Sequence, residues 1–178
     1  MIQGNGLRDA YSATLAGVRA QEGGISRLGM EALMWRSHSK PALNANQLCQ
    51  ALEVEIRSTD LDPQNIPAIE IQLGCSFGLV TLEESPHTVH LVHYTLQEYL
   101  FVKTAFFPRP HSAIAVVGST YLNFRSIKSL SPAPRWSRKG APLLEYTSWY
   151  RGEHARTGIT ASVNTLILRL LDRFDMPD

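Results

Sequence analysis

Two short β-prone runs stand in a chain whose apolar residues otherwise recur at helical spacing. The runs cover residues 77–82 and 88–93, and residues 83–87, which include Pro86, join them. Two such runs with a turn between them predict a β-hairpin. Directly afterwards, Thr95 and Glu98 form a Thr-x-x-Glu pattern, which is typical of a capping box at the start of a helix. The chain is therefore predicted to place one hairpin among helices.

Four helices are predicted before the hairpin, the first from apolar residues at helical spacing up to residue 22. Ser26 is expected to cap the second helix, and Asn44 with Gln47 three residues later approximates a capping box for the third. The fourth begins near Pro63 or near Pro67, because proline is tolerated in a first turn. The second to fourth helices, the hairpin and the closing helix have the order of a winged helix.

Helical spacing resumes after the prolines at 108 and 110. Further helices are predicted at 111–124, from Pro142 onward and at 162–174, with an exposed loop at 129–142. The predicted fold class is mainly α: a winged helix with one β-hairpin, followed by a helical extension. The predicted domains are an N-terminal helix at 1–24, as the tail of a preceding helical region, the winged helix at 25–105 and a helical linker region at 106–178.

The composition is that of a folded protein without membrane spans. Hydrophobic residues make up 44% and charged residues 19% of the 178 positions, so the chain can bury a core. No apolar run reaches the ~18 residues of a membrane span, and the N-terminus lacks a signal-like pattern. Cys49 and Cys75 lie far apart and are expected to be buried core residues. We expect a cytoplasmic protein that does not bind membranes.

The charges are segregated along the chain. No Lys or Arg occurs from Ser58 to Val102, where all the charged residues are acidic, and residues 125–139 contain basic residues but no acidic ones. The acidic stretch would repel a phosphate backbone, and it contains the segment 66–73, which would be the recognition helix of a DNA-binding winged helix. DNA binding is therefore the alternative function, but we do not expect it. The basic segment is expected to be a solvated loop, or else a site for an acidic partner.

Residues 74–78 match the Gly-x-Ser-x-Gly pattern of serine hydrolases, with Ser76 as the nucleophile. A nucleophile elbow requires a strand before the serine and a helix after it, whereas here a helix is predicted before and a strand after. A serine hydrolase is thus a weaker alternative, and no catalytic residue is expected. A Walker phosphate-binding loop is also missing, since none of the four lysines follows a glycine.

His87, His90 and His93 recur every three residues. Neighbouring residues of a strand point to opposite faces, so the three side chains cannot converge, and no metal site is expected. His93 differs from the others because it immediately precedes the helix predicted near Thr95. Helix N-termini present free amides and a positive dipole to anions, so His93 is either an anion-binding residue or a histidine hydrogen-bonded at a strand end.

Several stretches resemble fungal NACHT-type signalling proteins, which belong to the NOD-like STAND class, over the region that follows their nucleotide-binding domain. The stretches are GMEALMW at 29–35 with SHSK at 37–40, QLCQAL at 47–52, DPQNIPAIE at 62–70, LVHYTLQEYL at 91–100 and GEHAR at 152–156. The first four resemble the winged-helix domain called the GPI inositol-deacylase winged helix, a label that implies no deacylase activity. The last resembles the helical linker that leads to ankyrin repeats.

The resemblance implies a non-catalytic regulatory module. In related STAND proteins a winged-helix histidine at the start of the closing helix contacts the phosphate of the bound nucleotide, and His93 matches that position. The implied partners are a NACHT nucleotide-binding domain and ankyrin repeats. ADP or ATP would be met only through a NACHT domain, because this chain has neither a Walker lysine nor an ankyrin signature.

Overall fold

A computed structural model describes residues 3–83, 85, 87–130 and 140–158. Within these residues the chain is mainly helical with one two-stranded antiparallel sheet, which confirms the predicted fold class. None of the helices in this part of the chain combines the length and the apolar composition that a bilayer span requires. The predicted helix at 162–174 and the basic residues Arg135, Arg138 and Lys139 lie outside the described residues.

The chain divides into two compact units. Unit 1 contains the described part of Met1–Leu52 together with Pro67–Pro108, and unit 2 contains Glu53–Ile66 with the described part of Arg109–Asp178. In chain order, the elements up to residue 108 are α1 (Gln3–Ala20), α2 (Gly24–His38), α3 (Ala45–Glu53), α4 (Ile69–Cys75), β1 (Val80–Glu83), β2 (Thr88–Leu91) and α5 (Tyr94–Val102).

Helices α1 and α2 bury several of the apolar residues that their spacing indicates, although Leu7 near the start of α1 is exposed. Leu15, Val18 and Leu33 are fully buried in unit 1. The predicted cap of α2 is wrong: α2 begins at Gly24 after Gly23, whose φ is 59°, so Ser26 already lies in the first turn. The Ser26 hydroxyl instead donates to the carbonyl oxygen of Arg19, at 3.0 Å. The Ser26 hydroxyl therefore bonds to the end of α1 and does not cap its own helix.

The capping box of α3 is confirmed. The Asn44 amide donates to Gln47 Oε1 and the Gln47 amide donates to Asn44 Oδ1, each at 2.9 Å. These reciprocal bonds satisfy two backbone donors that a helix start leaves without intrahelical partners. They place Leu48 and Leu52 in the core of unit 1, where both are buried.

The segment between α2 and α3 adds an isolated β-bridge beside the two-stranded sheet, and we call its one residue, Asn44, the third strand. Asn44 forms an antiparallel bridge with Thr88, and the amide of Val89 donates to the carbonyl oxygen of Leu43 at 3.0 Å. The helical patterns of the sequence did not indicate this strand. Together with α2, α3, α4, β1 and β2, it completes the element order of a winged helix.

Helix α4 begins at Ile69, later than either predicted start. The side chain of Asp62 accepts a hydrogen bond from the amide of Gln64 at 2.9 Å, which closes a turn rather than a helix. Pro67 then restricts Ile66 to extended conformations, so the helix starts only beyond the proline. The residues around Asp62 belong to unit 2, whereas α4 belongs to unit 1.

The hairpin follows the predicted positions. The strands β1 and β2 pair antiparallel, with Val80 opposite Leu91 and Glu83 opposite Thr88. Val80 and Val89 are buried against unit 1, while Thr81 on the neighbouring position is exposed. This alternation is the period-two pattern of a half-buried sheet, and it leads the chain into α5.

Unit 2 is built around the pairing of α6 (Pro110–Asn123) with α8 (Leu143–Thr157), and α7 (Arg125–Lys128) lies between them in the chain. Ile114 and Leu143 are fully buried, as their helical spacing predicts, whereas Trp149 is exposed. The start of the predicted basic loop is also helical, because Arg125 and Lys128 form α7.

Asp60 holds the start of α7. One Asp60 carboxylate oxygen accepts from the Ser126 hydroxyl and the other accepts from the Ser126 amide, at 3.1 Å for the amide. The amide of Arg125 donates to the carbonyl oxygen of Thr59 at 3.2 Å. Burial by itself would raise the pKa of Asp60, but these hydrogen bonds, one from the Leu61 amide and the charge of Arg125 together lower it. The segment 53–66 is thereby fastened to α7.

Candidate functional site

His93 lies directly before the closing helix α5. It is the N-cap residue of α5, with φ −147° and ψ 145°, and its side chain makes no capping hydrogen bond. Its carbonyl oxygen accepts from the Leu96 amide at 3.1 Å, so the backbone is used while the exposed ring is not. Among the described residues, the ring has no hydrogen-bond or ion-pair partner. The geometry leaves it available to an external ligand.

The first turn of α5 is anchored by two tertiary hydrogen bonds. The hydroxyls of Thr95 and Tyr11 are 2.9 Å apart, and the Gln97 side-chain amide donates to the Ser37 carbonyl oxygen at 2.9 Å. The predicted Thr95–Glu98 capping box is therefore wrong, because Thr95 lies inside the helix and its hydroxyl is bonded to α1. These two bonds hold the first turn of α5, directly after His93, against α1 and α2.

Ser76 stabilises the turn between α4 and β1 by hydrogen bonds of its side chain. Its side chain is completely buried, and Oγ donates to the Leu73 carbonyl oxygen at 2.7 Å and accepts from the Val80 amide at 3.2 Å. The helix precedes the serine and the strand follows it, as predicted. A nucleophile elbow has the opposite order and exposes its hydroxyl. Within this geometry, the Gly-x-Ser-x-Gly pattern supplies a C-terminal cap of a helix.

The histidines of the hairpin do not converge. His90 Nε2 lies 3.2 Å from a Glu83 carboxylate oxygen, one diagonal step across the sheet. His87 lies in the turn with φ 60°, and His93 lies beyond the end of β2. Within the described ranges, no three His, Cys, Asp or Glu side chains come together as a metal-binding group.

Helix α4, which would read DNA in a DNA-binding winged helix, presents an acidic and apolar surface. Its exposed side chains are Glu70 and Ile71, and it contains no Lys or Arg. Phosphate neutralisation by basic side chains supplies most of the affinity of such proteins for DNA. Nothing on this helix favours DNA binding.

The two cysteines are buried in unit 1 with free thiols, as predicted. Burial raises the pKa of the Cys49 thiol and also that of the Cys75 thiol. Because the thiolate is the reactive form, both side chains behave as small apolar core residues.

Unit 2 contains a histidine–tyrosine cluster that the sequence analysis missed. The Nδ1 atoms of His111 on α6 and His154 on α8 are 2.8 Å apart, and the Tyr146 hydroxyl lies 2.9 Å from Nε2 of His154. His154 is 2% exposed. The two histidines are 43 residues apart in the chain, so no local pattern could have paired them. Since both of its ring nitrogens have side-chain partners, His154 links the two helices.

Comparison of the chain with protein-family models, with curated proteins and with solved structures gives no match.

Proposed function

We propose that this chain is a non-catalytic regulatory module of a NACHT-type STAND signalling protein of the cytoplasm. In this proposal the winged helix packs on a nucleotide-binding domain, the helical region links it to ankyrin repeats, and the module relays whether ADP or ATP is bound. The chain itself holds no cofactor.

The observation that carries the proposal is the exposed, unbonded ring of His93 at the N-terminus of α5. A helix N-terminus offers amide groups and a positive dipole, and an imidazole beside it adds one further hydrogen-bond donor. This combination suits a phosphate oxygen of a nucleotide that a neighbouring domain holds. The anchoring of Thr95 and Gln97 supports the proposal, because it holds the backbone of the helix start from which the His93 ring projects.

The element order supports the same proposal. The third strand at Asn44 and the hairpin place α5 directly after the wing, which is where the resembling proteins have their phosphate-contacting histidine. The acidic and apolar surface of α4 also favours a protein partner over DNA.

The experiment is ADP release from a full-length parent protein that carries His93→Ala. A hydrogen bond to a charged group contributes about 1.5–3 kcal/mol, so we expect release to accelerate at least roughly tenfold. His90→Ala is the matched control, because His90 faces Glu83 within the hairpin and should leave release unchanged. An unchanged release rate in the His93 variant would disprove the sensor role.

A further inference from the structure

The histidine–tyrosine cluster of unit 2 joins two helix ends of opposite polarity. His111 lies in the first turn of α6 and His154 lies in the last turn of α8. The ring centroids are 5.0 Å apart and the Nδ1 atoms are 2.8 Å apart. Beside the rings, the Ser112 hydroxyl donates to the Gly158 carbonyl oxygen, and a Cβ atom at Gly158 would lie 2.5 Å from the Ser112 amide nitrogen. The end of α8 is therefore in close contact with the start of α6.

The contact between the two Nδ1 atoms limits how many protons the pair can hold. A neutral imidazole has one protonated and one bare ring nitrogen, whereas an imidazolium has two protonated nitrogens. A hydrogen bond between two Nδ1 atoms requires that one of them is bare. The pair can therefore consist of two neutral rings, or of one imidazolium and one neutral ring. With both rings protonated, two N–H groups would face each other and two positive charges would repel, at a site where His154 is only 2% exposed.

The first added proton is favoured on His154. A helix C-terminus stabilises a cation and a helix N-terminus destabilises it, so the end of α8 is the better position and the start of α6 the worse one. Protonated His154 donates from Nδ1 to His111 and from Nε2 to the Tyr146 hydroxyl, which can accept as well as donate. A second proton would then have to enter at Nδ1 of His111, the acceptor of that bond, and would break the contact.

The charges on the surrounding helices also oppose a second proton. Within one helical turn of the two histidines, α8 has one carboxylate, that of Glu153, and the two helices together have three guanidinium groups, those of Arg109, Arg151 and Arg156. Helix α7, which also packs on α6, follows the opposite end of α6. Its basic residues and the neighbouring Asp60 are about 18 Å from the start of α6, at 1.5 Å per residue. The nearby charge in the described part of these helices is therefore mainly positive.

We propose that the histidine–tyrosine cluster is a pH-sensitive contact, which fastens the end of α8 to the start of α6 near neutral pH and releases it when both histidines are protonated. An unfolded histidine has a pKa of about 6.5, so below that pH the unfolded chain holds two protons at these residues and the folded chain holds one. Stability rises with pH wherever the unfolded state binds more protons, so unit 2 loses stability on acidification below about pH 6.5. The contact requires neither a nucleotide nor His93, so it is independent of the function proposed above.

The test is urea unfolding of the purified full chain from about pH 8 to about pH 5, with the wild type compared with His111→Asn. The Oδ1 atom of asparagine can accept from His154 in place of Nδ1, and it does not titrate. The ratio of the wild-type unfolding constant to that of the variant should be constant above about pH 7. It should rise by up to about tenfold per pH unit below about pH 6.5, because the folded wild type lacks one proton. Asp60, whose pKa is lowered from its usual value of about 4, titrates outside this range.

His87→Asn is the matched control. His87 is an exposed histidine in the hairpin turn of unit 1, at a positive φ that asparagine also tolerates. Its ring is exposed in the folded and in the unfolded chain, so the ratio of the wild-type unfolding constant to that of this variant should not change with pH.

Nitrogen NMR of the imidazole rings of the wild type supplies a second measurement that needs no variant. As the pH falls, one ring of the pair should become an imidazolium while the amides of α8 stay protected from hydrogen exchange. The other ring should follow only as that protection is lost. A ratio between wild type and His111→Asn that is independent of pH would overturn the proposal, and so would two imidazoliums in a chain whose α8 amides remain protected.

Discussion

Gly29 on α2 is a position where helix propensity and tertiary packing predict opposite effects of one substitution. Alanine in a helix interior is favoured over glycine by about 1 kcal/mol, so Gly29→Ala would stabilise an isolated helix. In unit 1, however, a Cβ atom at Gly29 would lie 2.9 Å from Val18 Cγ1 and well inside van der Waals contact with the carbonyl oxygen of Cys75. The carbonyl is backbone at the end of α4 and cannot rotate away.

The magnitude follows from these opposing effects. Inserting a methyl group into a packed core costs about 1–3 kcal/mol, and a contact with backbone belongs at the upper end of that range. After subtraction of the propensity gain, we expect Gly29→Ala to lower the free energy of unfolding by about 1–2 kcal/mol. At a urea dependence of about 2 kcal/mol per M, the unfolding midpoint falls by roughly 0.5–1 M.

The assay is urea unfolding followed by far-UV circular dichroism, with Gly152→Ala as the matched control. Gly152 lies in the interior of α8, and a Cβ atom there would meet nothing within 4 Å. This variant should gain up to about 1 kcal/mol from propensity alone. If Gly29→Ala stabilised the chain as the control does, the close approach of α2 to the end of α4 would be refuted.

Two further predictions concern one unit each. Leu15→Ala, at a fully buried position of α1, should lower the free energy of unfolding by about 2–5 kcal/mol. The control Leu7→Ala, at an exposed position of the same helix, should change it by less than about 0.5 kcal/mol. Urea unfolding of the two variants measures both changes. In unit 2, the folded pKa of Asp60 is lowered, so its stabilising effect is present above its unfolded pKa of about 4 and is lost as the pH falls through the lowered value. The stability difference between wild type and Asp60→Asn should therefore shrink between about pH 6 and pH 2, and a constant difference would contradict the role of its bonds to Ser126.

The sequence predicted those features of the fold whose causes are local. The prediction of the α3 capping box was correct because Asn44 and Gln47 are three residues apart and the two bonds of the box join only these two residues. The prediction of the hairpin was correct because the two β-prone runs and the turn that joins them lie within one short stretch of sequence. The order of helix and strand around Ser76 followed from the same local patterns.

Two of the failed predictions, the caps at Ser26 and Thr95, depended on hydrogen-bond partners in another helix. Ser26 and Thr95 were expected to cap helices, but the carbonyl oxygen of Arg19 and the hydroxyl of Tyr11 bind their hydroxyls instead. The third strand depends on Thr88, far from Asn44 in the chain. Hydrogen bonds of this kind become visible only when the helices are packed.

The candidate sites show the same division. His93 could be identified from sequence as a candidate anion-binding residue, because that role depends only on the helix that begins immediately after it. The pair of His111 and His154 could not, because α6 and α8 bring the two rings together across 43 residues.

The path of the chain between the two units has a consequence for attempts to separate them. The polypeptide leaves unit 1 after Leu52, returns at Pro67 and leaves again after Pro108, so three covalent connections cross between the units. A protease that cuts a single connection produces two polypeptides, each of which carries part of a shared unit, so they stay together through the noncovalent contacts within that unit, such as those of Asp60 with Ser126. A product truncated near residue 105 would keep residues 53–66 but lose α7, to which Asp60 fastens them.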